Sequence, residues 1–174
     1  MYQINRYSRG FTLIELVTVI VLLGILSVTA LPKFIDITED AELAVTKTVQ
    51  ASLQTGLQML QLKATVKNNP DSLVIASSTI NLTATGWAYS QTADAQGCID
   101  IWNALLESPP PIVEWSSNLT TADWSARYLW TVCFYHNHNG SQYDAASTPY
   151  FQYYPIGNGD GSVAAGGFLK FNME

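Results

Sequence analysis

The longest apolar stretch of the chain lies close to its N-terminus. No charged residue occurs from Leu16 to Pro32, and residues 11–15 add only one, Glu15. A helix of roughly 20 residues, rising about 1.5 Å per residue, is long enough to cross a bilayer core of about 30 Å. The pattern therefore predicts a membrane-spanning helix over residues 11–32.

The residues before this stretch predict its orientation. Residues 1–10 are polar and contain two basic residues, Arg6 and Arg9, and no acidic residue. Positive charge beside a membrane segment favours the cytoplasmic side, so the rest of the chain would be exported. An ordinary secretory signal is the alternative, but residues 27–30 match its cleavage site only weakly.

A second periodic pattern follows over residues 33–67, which contain no proline and one glycine. Apolar or small residues recur there at steps of three and four, as on one face of a helix. The predicted stripe consists of Phe34, Ile37, Ala41, Ala44, Val45, Thr48, Ala51, Ser52, Leu53, Gly56, Leu57, Leu60 and Ala64. Residues 68–70, Asn-Asn-Pro, end the pattern. One stem helix is therefore predicted from residue 11 to about residue 67, with a bend at Pro32.

Residues 70–174 have the pattern of a globular head, with the amphipathic stem, residues 33–69, packed against it. Residues 98–107 have helical spacing, and the alternation over residues 127–136 predicts the main strand. Two further strands are predicted over residues 150–154 and 167–171, with turn residues at 157–161 and mostly loop at 73–82 and 86–90. The resulting prediction is an α+β fold with an antiparallel sheet of about four strands.

Net charge excludes one class of partner. The chain carries a formal net charge of −6, and its eight basic residues are scattered along the sequence. Nucleic-acid binding needs concentrated positive charge to meet the phosphates, so no nucleic-acid partner is expected.

Candidates for catalysis or metal binding are few. His136 and His138 share a strand face and are two possible metal ligands, but no third His or thiol lies nearby in sequence. We interpret them as a polar strand end. No Ser-His-Asp set, P-loop or zinc motif occurs, so the sequence predicts neither an enzyme nor a cofactor or metal.

Two other features of the head receive structural interpretations. The loop oxygens of Asn158, Asp160 and Ser162, with Asp144 nearby in sequence, are too few for calcium, so a hairpin turn is expected. The aromatic residues Trp87, Trp115 and Trp124 are able to stack on sugars, but we assign them to the core.

The acidic residue inside the apolar stretch has a different interpretation. A carboxylate at the bilayer centre costs about 2.5–3.5 kcal/mol on insertion scales, and such residues are usually functional and paired. The alternative is an interfacial acid that stays hydrated. Cleavage after Gly10 would supply a partner for Glu15, namely the new amine of Phe11, on the same chain or on a neighbour.

Residues 9–15, Arg-Gly-Phe-Thr-Leu-Ile-Glu, resemble the processing motif of type IV prepilins. The close resemblance covers roughly the first 50 residues, and the short leader is similar to the type IVa class. It implies that a membrane peptidase cuts after Gly10, removes residues 1–10 and methylates the amine of Phe11.

The same resemblance implies how the chain assembles. Glu15 would pair with the Phe11 amine of an adjacent subunit, and the stem would loosen or kink at Gly24 and Pro32. The implied partners are a homo-oligomeric or mixed pilin filament and an assembly platform in the inner membrane. The unassembled subunit would have a cytoplasmic N-terminus and a periplasmic head, and the assembled pilus would be extracellular.

The chain contains two cysteines, Cys98 and Cys133. Since the exported setting is oxidising, a disulfide between them is predicted, the alternative being two buried thiols. In type IVa pilins the second cysteine usually lies near the C-terminus, whereas residues 134–174 follow Cys133 here. The family's disulfide-bounded surface region therefore does not transfer directly.

A finer resemblance concerns residues 98–106 and the prolines at 109 and 110, which are similar to the mannose-sensitive haemagglutinin (MSHA) pilin branch. It implies a structural subunit, major or minor, of an MSHA-like surface filament used in adhesion, with an unknown ligand. A secretion pseudopilin of the same superfamily is the first alternative. An unrelated single-span binding or enzymatic ectodomain is the second.

Overall fold

The computed structural model of the chain describes residues 10–75, 77–116 and 122–173. The leader predicted for residues 1–10 therefore lies outside the described residues except for Gly10. The chain divides into two compact units, Met1–Ala41 and Glu42–Glu174. The second unit is the head, and it includes the C-terminal part of the long helix.

The long helix α1 spans Leu13–Val66, which confirms the predicted stem helix to within two residues at each end. It stops where Asn68 and Asn69 adopt positive φ angles of 65° and 49°, conformations that asparagine tolerates better than most residues. The Asn69 N–H donates to Ala64 O at 2.8 Å and so satisfies a carbonyl of the last turn. The predicted stop is thus confirmed.

The side chains of residues 30–39 lie outside the described ones, and so does the bend predicted at Pro32. Within the part of the chain that the structure describes, no helical stretch meets the length and hydropathy of a membrane span. The span predicted for residues 11–32 stays a prediction.

The face that α1 buries in the head differs from the predicted stripe in its N-terminal half. The buried residues follow steps of four and three: Thr46, Gln50, Leu53, Leu57, Leu60 and Ala64. The predicted members Ala44, Thr48 and Ser52 are instead exposed, as is Val45. The physical reason is that this part of the helix meets a polar partner, because Asn137 Nδ2 donates to Thr46 Oγ1 at 2.8 Å.

A small antiparallel sheet follows α1. Its strands are β1 (Ser72–Ile75), β2 (Ser78–Leu82) and β3 (Ala88–Tyr89), in the order β1-β2-β3. The interpretation of this region as mostly loop was therefore wrong. Leu73, Ile80 and Leu82 point into the core, and the intervening Ser, Thr and Asn positions are more exposed.

The short helix α2 spans Ala95–Leu105 and confirms the helix predicted near Cys98. It begins three residues earlier than predicted because Asp94 is its N-cap, with Oδ1 accepting the Gly97 N–H at 3.0 Å. Its buried face includes Cys98, Ile101 and Trp102.

The main sheet has five strands in sequential order, β4 (Ile112–Glu114), β5 (Trp124–Leu129), β6 (Val132–Asn137), β7 (Tyr150–Tyr154) and β8 (Gly167–Phe171). β4 pairs with β5 in parallel, and the other neighbours are antiparallel. The strands predicted over residues 150–154 and 167–171 are confirmed. The single sheet of about four strands becomes two sheets of three and five strands.

The prediction of one main strand over residues 127–136 is wrong, because the chain reverses direction in the middle of this range. Trp130 and Thr131 adopt positive φ angles of 48° and 68° and form the tip of the β5–β6 hairpin. This turn is unusual because such positions are normally taken by Gly, Asn or Asp. Because none of these turn residues stands at the tip, the alternating sequence pattern continues through it and resembles that of a single strand.

Aromatic rings and a disulfide fill the core between the helices and the main sheet. Trp102 lies 4.9 Å from Trp124 and 5.2 Å from Tyr135, measured between ring centroids. The predicted disulfide between Cys98 and Cys133 is present and fully buried, and it joins α2 to β6. The Tyr135 hydroxyl donates to Cys98 O at 2.9 Å. Strand β6 therefore binds the start of α2 both through the disulfide and through this hydrogen bond.

Candidate processing and assembly site

The peptide bond predicted to be cleaved lies just before α1. Phe11 is 86% exposed, and no atom of the described residues lies near the position that a Cβ on Gly10 would take. Neither residue belongs to the helix, which begins at Leu13. Within residues 10–75, 77–116 and 122–173, nothing therefore covers the bond between Gly10 and Phe11.

Glu15 and Thr12 form a reciprocal cap at the start of α1. The Thr12 N–H and Oγ1 both donate to Glu15 Oε2, at 2.9 and 2.7 Å. The Glu15 N–H donates back to Thr12 Oγ1 at 3.3 Å. This is the capping-box arrangement, in which the N-cap residue and the third helical residue satisfy each other's free backbone donors.

The capping role of Thr12 was not predicted, although its sequence carries a recognisable pattern. A threonine followed three residues later by a glutamate, directly before an apolar run, is the capping-box pattern. The prediction for Glu15 considered only its charge. In the single chain its carboxylate also fixes where the helix begins, and a carboxylate retains capacity for further donors.

The helix surface that follows Glu15 is apolar and exposed. The large apolar side chains with high exposure are Leu13, Ile14, Leu16, Val17, Val19, Ile20, Val21, Leu22, Leu23, Ile25, Leu26 and Val28. An apolar surface this large on a protein indicates a contact with lipid or with another protein. Gly24 lies within this surface, with open space where its side chain would be.

The two histidines of the head differ from the prediction of a polar strand end. His136 is 3% exposed and His138 is 4% exposed, so both imidazoles belong to the interior. Burial lowers the pKa of each ring, that of His136 to about 3, with His138 and Arg127 as further causes for His136. Both rings are therefore neutral at ordinary pH.

The loop considered for calcium uses its own oxygens internally. Asn158 Oδ1 accepts the Val163 N–H at 2.7 Å, and Asp160 Oδ1 accepts the Ser162 N–H at 2.9 Å. Hydrogen bonds from the backbone N–H and the side chain of Ser162 lower the pKa of Asp160. They fit the expected hairpin turn between β7 and β8. Across the described residues, no group of three or more His, Cys, Asp or Glu residues is arranged to hold a metal ion.

The tryptophans considered for sugar stacking are mostly in the interior. Trp124 is 2% exposed, and Trp87 packs partly buried against the core. Trp115 is half-buried, and Arg127 lies 4.4 Å above its ring. The exposed tryptophan is Trp130, at 85%, which the strand prediction had placed within the sheet.

Comparison with known proteins supports the interpretation of the N-terminal segment. Residues 5–31 match the family model of the prokaryotic N-terminal methylation motif. This match includes the Gly10–Phe11 bond, the Thr12–Glu15 cap and the exposed apolar surface. With this motif before an α+β head, the chain is similar in class to type IV pilin-like subunits.

A curated relative supports the same family. The chain is 29% identical over 91 residues to the type IV narrow pilus major component PilA5 of Thermus thermophilus. The match covers 52% of this chain and 78% of the relative. No solved structure is significantly similar to the chain. The motif and this similarity together support membership of the type IV pilin family.

Proposed function

We propose that this chain is a structural, non-enzymatic subunit of an MSHA-like type IV surface filament used in adhesion. A prepilin peptidase cleaves it between Gly10 and Phe11 and methylates the new amine. The mature subunit waits in the inner membrane, with its N-terminus cytoplasmic and its head periplasmic. An assembly platform then transfers it into the extracellular pilus.

One observation carries this proposal. The open Gly10–Phe11 bond, the carboxylate of Glu15 and a long exposed apolar helix surface follow one another within a single segment. A bilayer covers the apolar surface before assembly, and the stems of other subunits cover it afterwards. Apolar burial is non-directional and roughly proportional to area, so it stabilises the filament without selecting an axial register.

Glu15 supplies the register. Cleavage creates an ammonium group on Phe11, and we infer that Glu15 accepts this group from a neighbouring subunit. An unpaired charge buried among apolar stems is strongly destabilising, so a subunit with the wrong stagger is disfavoured. The Thr12 donors hold the Glu15 side chain at the helix start and preorganise it for that neighbour.

The test compares three substitutions of Glu15 in cells where this gene is the sole copy. Glu15→Ala removes the charge and the cap, Glu15→Gln removes the charge but keeps a capping acceptor, and Glu15→Asp keeps the charge with a shorter reach. We expect Glu15→Ala and Glu15→Gln to lower the number of surface filaments at least tenfold. Glu15→Asp should be intermediate.

The control measurement is the amount of mature subunit in the membrane fraction. It should be nearly unchanged in all three variants, because Glu15→Ala and Glu15→Gln remove a charge, which eases insertion, and Glu15→Asp leaves the charge as it was. Normal filament numbers in Glu15→Gln would show that Glu15 acts only as a helix cap, and the register role would be wrong.

A further inference from the structure

The two buried histidines lie close together at the end of β6. His136 belongs to the strand and His138 follows it, so the two rings occupy alternate positions of one extended segment. Their ring centroids are 6.1 Å apart. They are also the chain's two histidines, so any imidazole signal from this protein comes from this pair.

Each ring has a buried nitrogen without a hydrogen-bond partner. These atoms are His136 Nδ1 and His138 Nδ1, and among the described residues neither is within hydrogen-bonding reach of another group. Buried polar atoms are rarely left in this state, and such exceptions call for an explanation, for instance an ion or a water. Two such atoms on neighbouring rings make this pair a candidate binding site.

The spacing of the rings suits a metal ion. Zinc binds imidazole nitrogen at about 2.0–2.1 Å, so two rings that share one ion have centroids about 5–6.5 Å apart. The observed 6.1 Å lies within this range. Because alternate strand positions share a face, the two rings approach such an ion from the same side of β6.

Ser125 of β5 gives His138 the second contact that metal-binding histidines usually have. His138 Nε2 lies 2.7 Å from Ser125 Oγ, and both residues are buried. When the ring nitrogen donates in this pair, the proton stays on Nε2 and the lone pair of Nδ1 is free for a metal.

The surroundings favour a late transition metal over a hard cation. Tyr143 packs against both imidazoles, at 5.3 and 6.0 Å between centroids, and Tyr150 lies 5.1 Å from His136. Arg127 is close enough to help lower the pKa of His136, so its charge opposes any cation here. Affinity must therefore come from the two nitrogen bonds, and imidazole prefers zinc, copper or nickel to calcium or magnesium.

We propose that His136 and His138 bind one zinc or copper ion through their Nδ1 atoms, with Ser125 as a positioning residue. Since the described residues add no third His, Cys, Asp or Glu to this pair, the ion's other positions belong to water or an external ligand. Tyr143, which is half-buried, covers the pair and controls access to it. This site lies in the head and does not depend on the proposed filament function.

The experiment uses the full-length chain without a histidine tag, purified in detergent and stripped of metal. Cu²⁺ and Zn²⁺ are titrated separately. We expect one ion per chain, a Cu²⁺ electron paramagnetic resonance spectrum with coupling to imidazole nitrogen, and a higher Tm with Zn²⁺, because an ion that binds the native state stabilises it.

Matched variants separate this pair from adventitious binding. His136→Ala or His138→Ala should abolish the stoichiometric site, and Ser125→Ala should weaken binding about 10-fold while Ser125→Thr retains it. Asp160→Ala, in an exposed loop on the same chain, should bind as the wild type does.

Two results would overturn the proposal. One is a wild-type chain that takes up neither ion in stoichiometric amount, in which case a buried water bridges the two nitrogens. The other is a bound Cu²⁺ whose spectrum shows no imidazole coupling. Both are measured on the wild type, so the outcome does not depend on whether the alanine variants fold.

Discussion

Individual side chains at the start of α1 combine two tasks that are usually separate. Thr12 and Glu15 satisfy each other's backbone donors and define the first turn. The same carboxylate lies four residues after Phe11, where the proposed cleavage would create a new positive charge. A single short segment therefore prepares the helix start and the proposed contact with the next subunit.

A single substitution tests the proposed role of Gly10 in leader cleavage. We expect Gly10→Val to leave an unprocessed precursor in the membrane, because a branched side chain before Phe11 blocks the peptidase at a position that is open in the native chain. Immunoblots of the membrane fraction would show a band heavier by the ten-residue leader.

Gly24→Val is the matched control for this experiment. Gly24 also has open space at its Cβ position, but it lies within α1 and away from the cleaved bond. It should be processed as the wild type is. Complete trimming of Gly10→Val would refute the leader assignment.

At the scale of secondary-structure elements, the disulfide joins α2 to the centre of the main sheet. It closes a loop with a sequence separation of 35, and both cysteines are fully buried. In the chain-entropy model, a loop of this length contributes about 3–4 kcal/mol to stability. We expect Cys98→Ser to reduce the amount of folded head several-fold and to change membrane insertion little.

Protease resistance of the head and thiol alkylation measure these two effects. Alkylation of the wild type under denaturing, non-reducing conditions should label no cysteine. Labelling of both Cys98 and Cys133 would contradict the bond.

The N-cap of α2 predicts a pH dependence. Hydrogen bonds from Thr92 and from the Gly97 N–H lower the pKa of Asp94 below its usual value of 3.8. Because the pKa is lower in the folded chain, the charged cap stabilises the head above that value, and this stability is lost as the pH falls through the folded pKa.

Asp94→Asn tests this dependence, since asparagine keeps a capping oxygen but carries no charge at any pH. The Tm of the wild type should exceed that of the variant above pH 4, and the difference should shrink as the pH falls below 4. A difference independent of pH would mean that the charge of Asp94 contributes nothing.

The helices and strands that were predicted correctly end at residues that favour a turn or a helix stop. α1 ends at two asparagines before a proline, and β7 ends at Tyr154 before Pro155. The β5–β6 hairpin lacked such signals, because Trp130 and Thr131 take positive φ angles against their intrinsic preference. The parallel strand β4 was missed since its three residues pair with β5 only through tertiary structure.

The candidate sites likewise divide into one that a local motif predicts and one that depends on tertiary contacts. Gly10, Phe11 and Glu15 were predicted together because they stand in one contiguous motif. The histidine pair was seen in the sequence, but its burial and its contact with Ser125 depend on strands that pair antiparallel across the hairpin. The buried polar face of α1 likewise depends on Asn137, which lies 91 residues away in sequence.

On the scale of the whole molecule, the chain consists of a head with its own core and an N-terminal helical unit whose described residues, 10–29 and 40–41, form no core. The head, Glu42–Glu174, buries aromatic rings, a disulfide and one face of α1. The apolar side chains of the N-terminal unit are exposed instead. Such a division is typical of a subunit whose stability depends on partners, either lipid or further stems.

Mass spectrometry of purified surface filaments tests the filament assignment most directly. We predict abundant peptides from this chain, including an N-terminal peptide that begins at Phe11 and carries a methyl group on its amine. A chain that is absent from the filaments and that keeps an intact Gly10–Phe11 bond in the membrane fraction would contradict both the processing and the assembly.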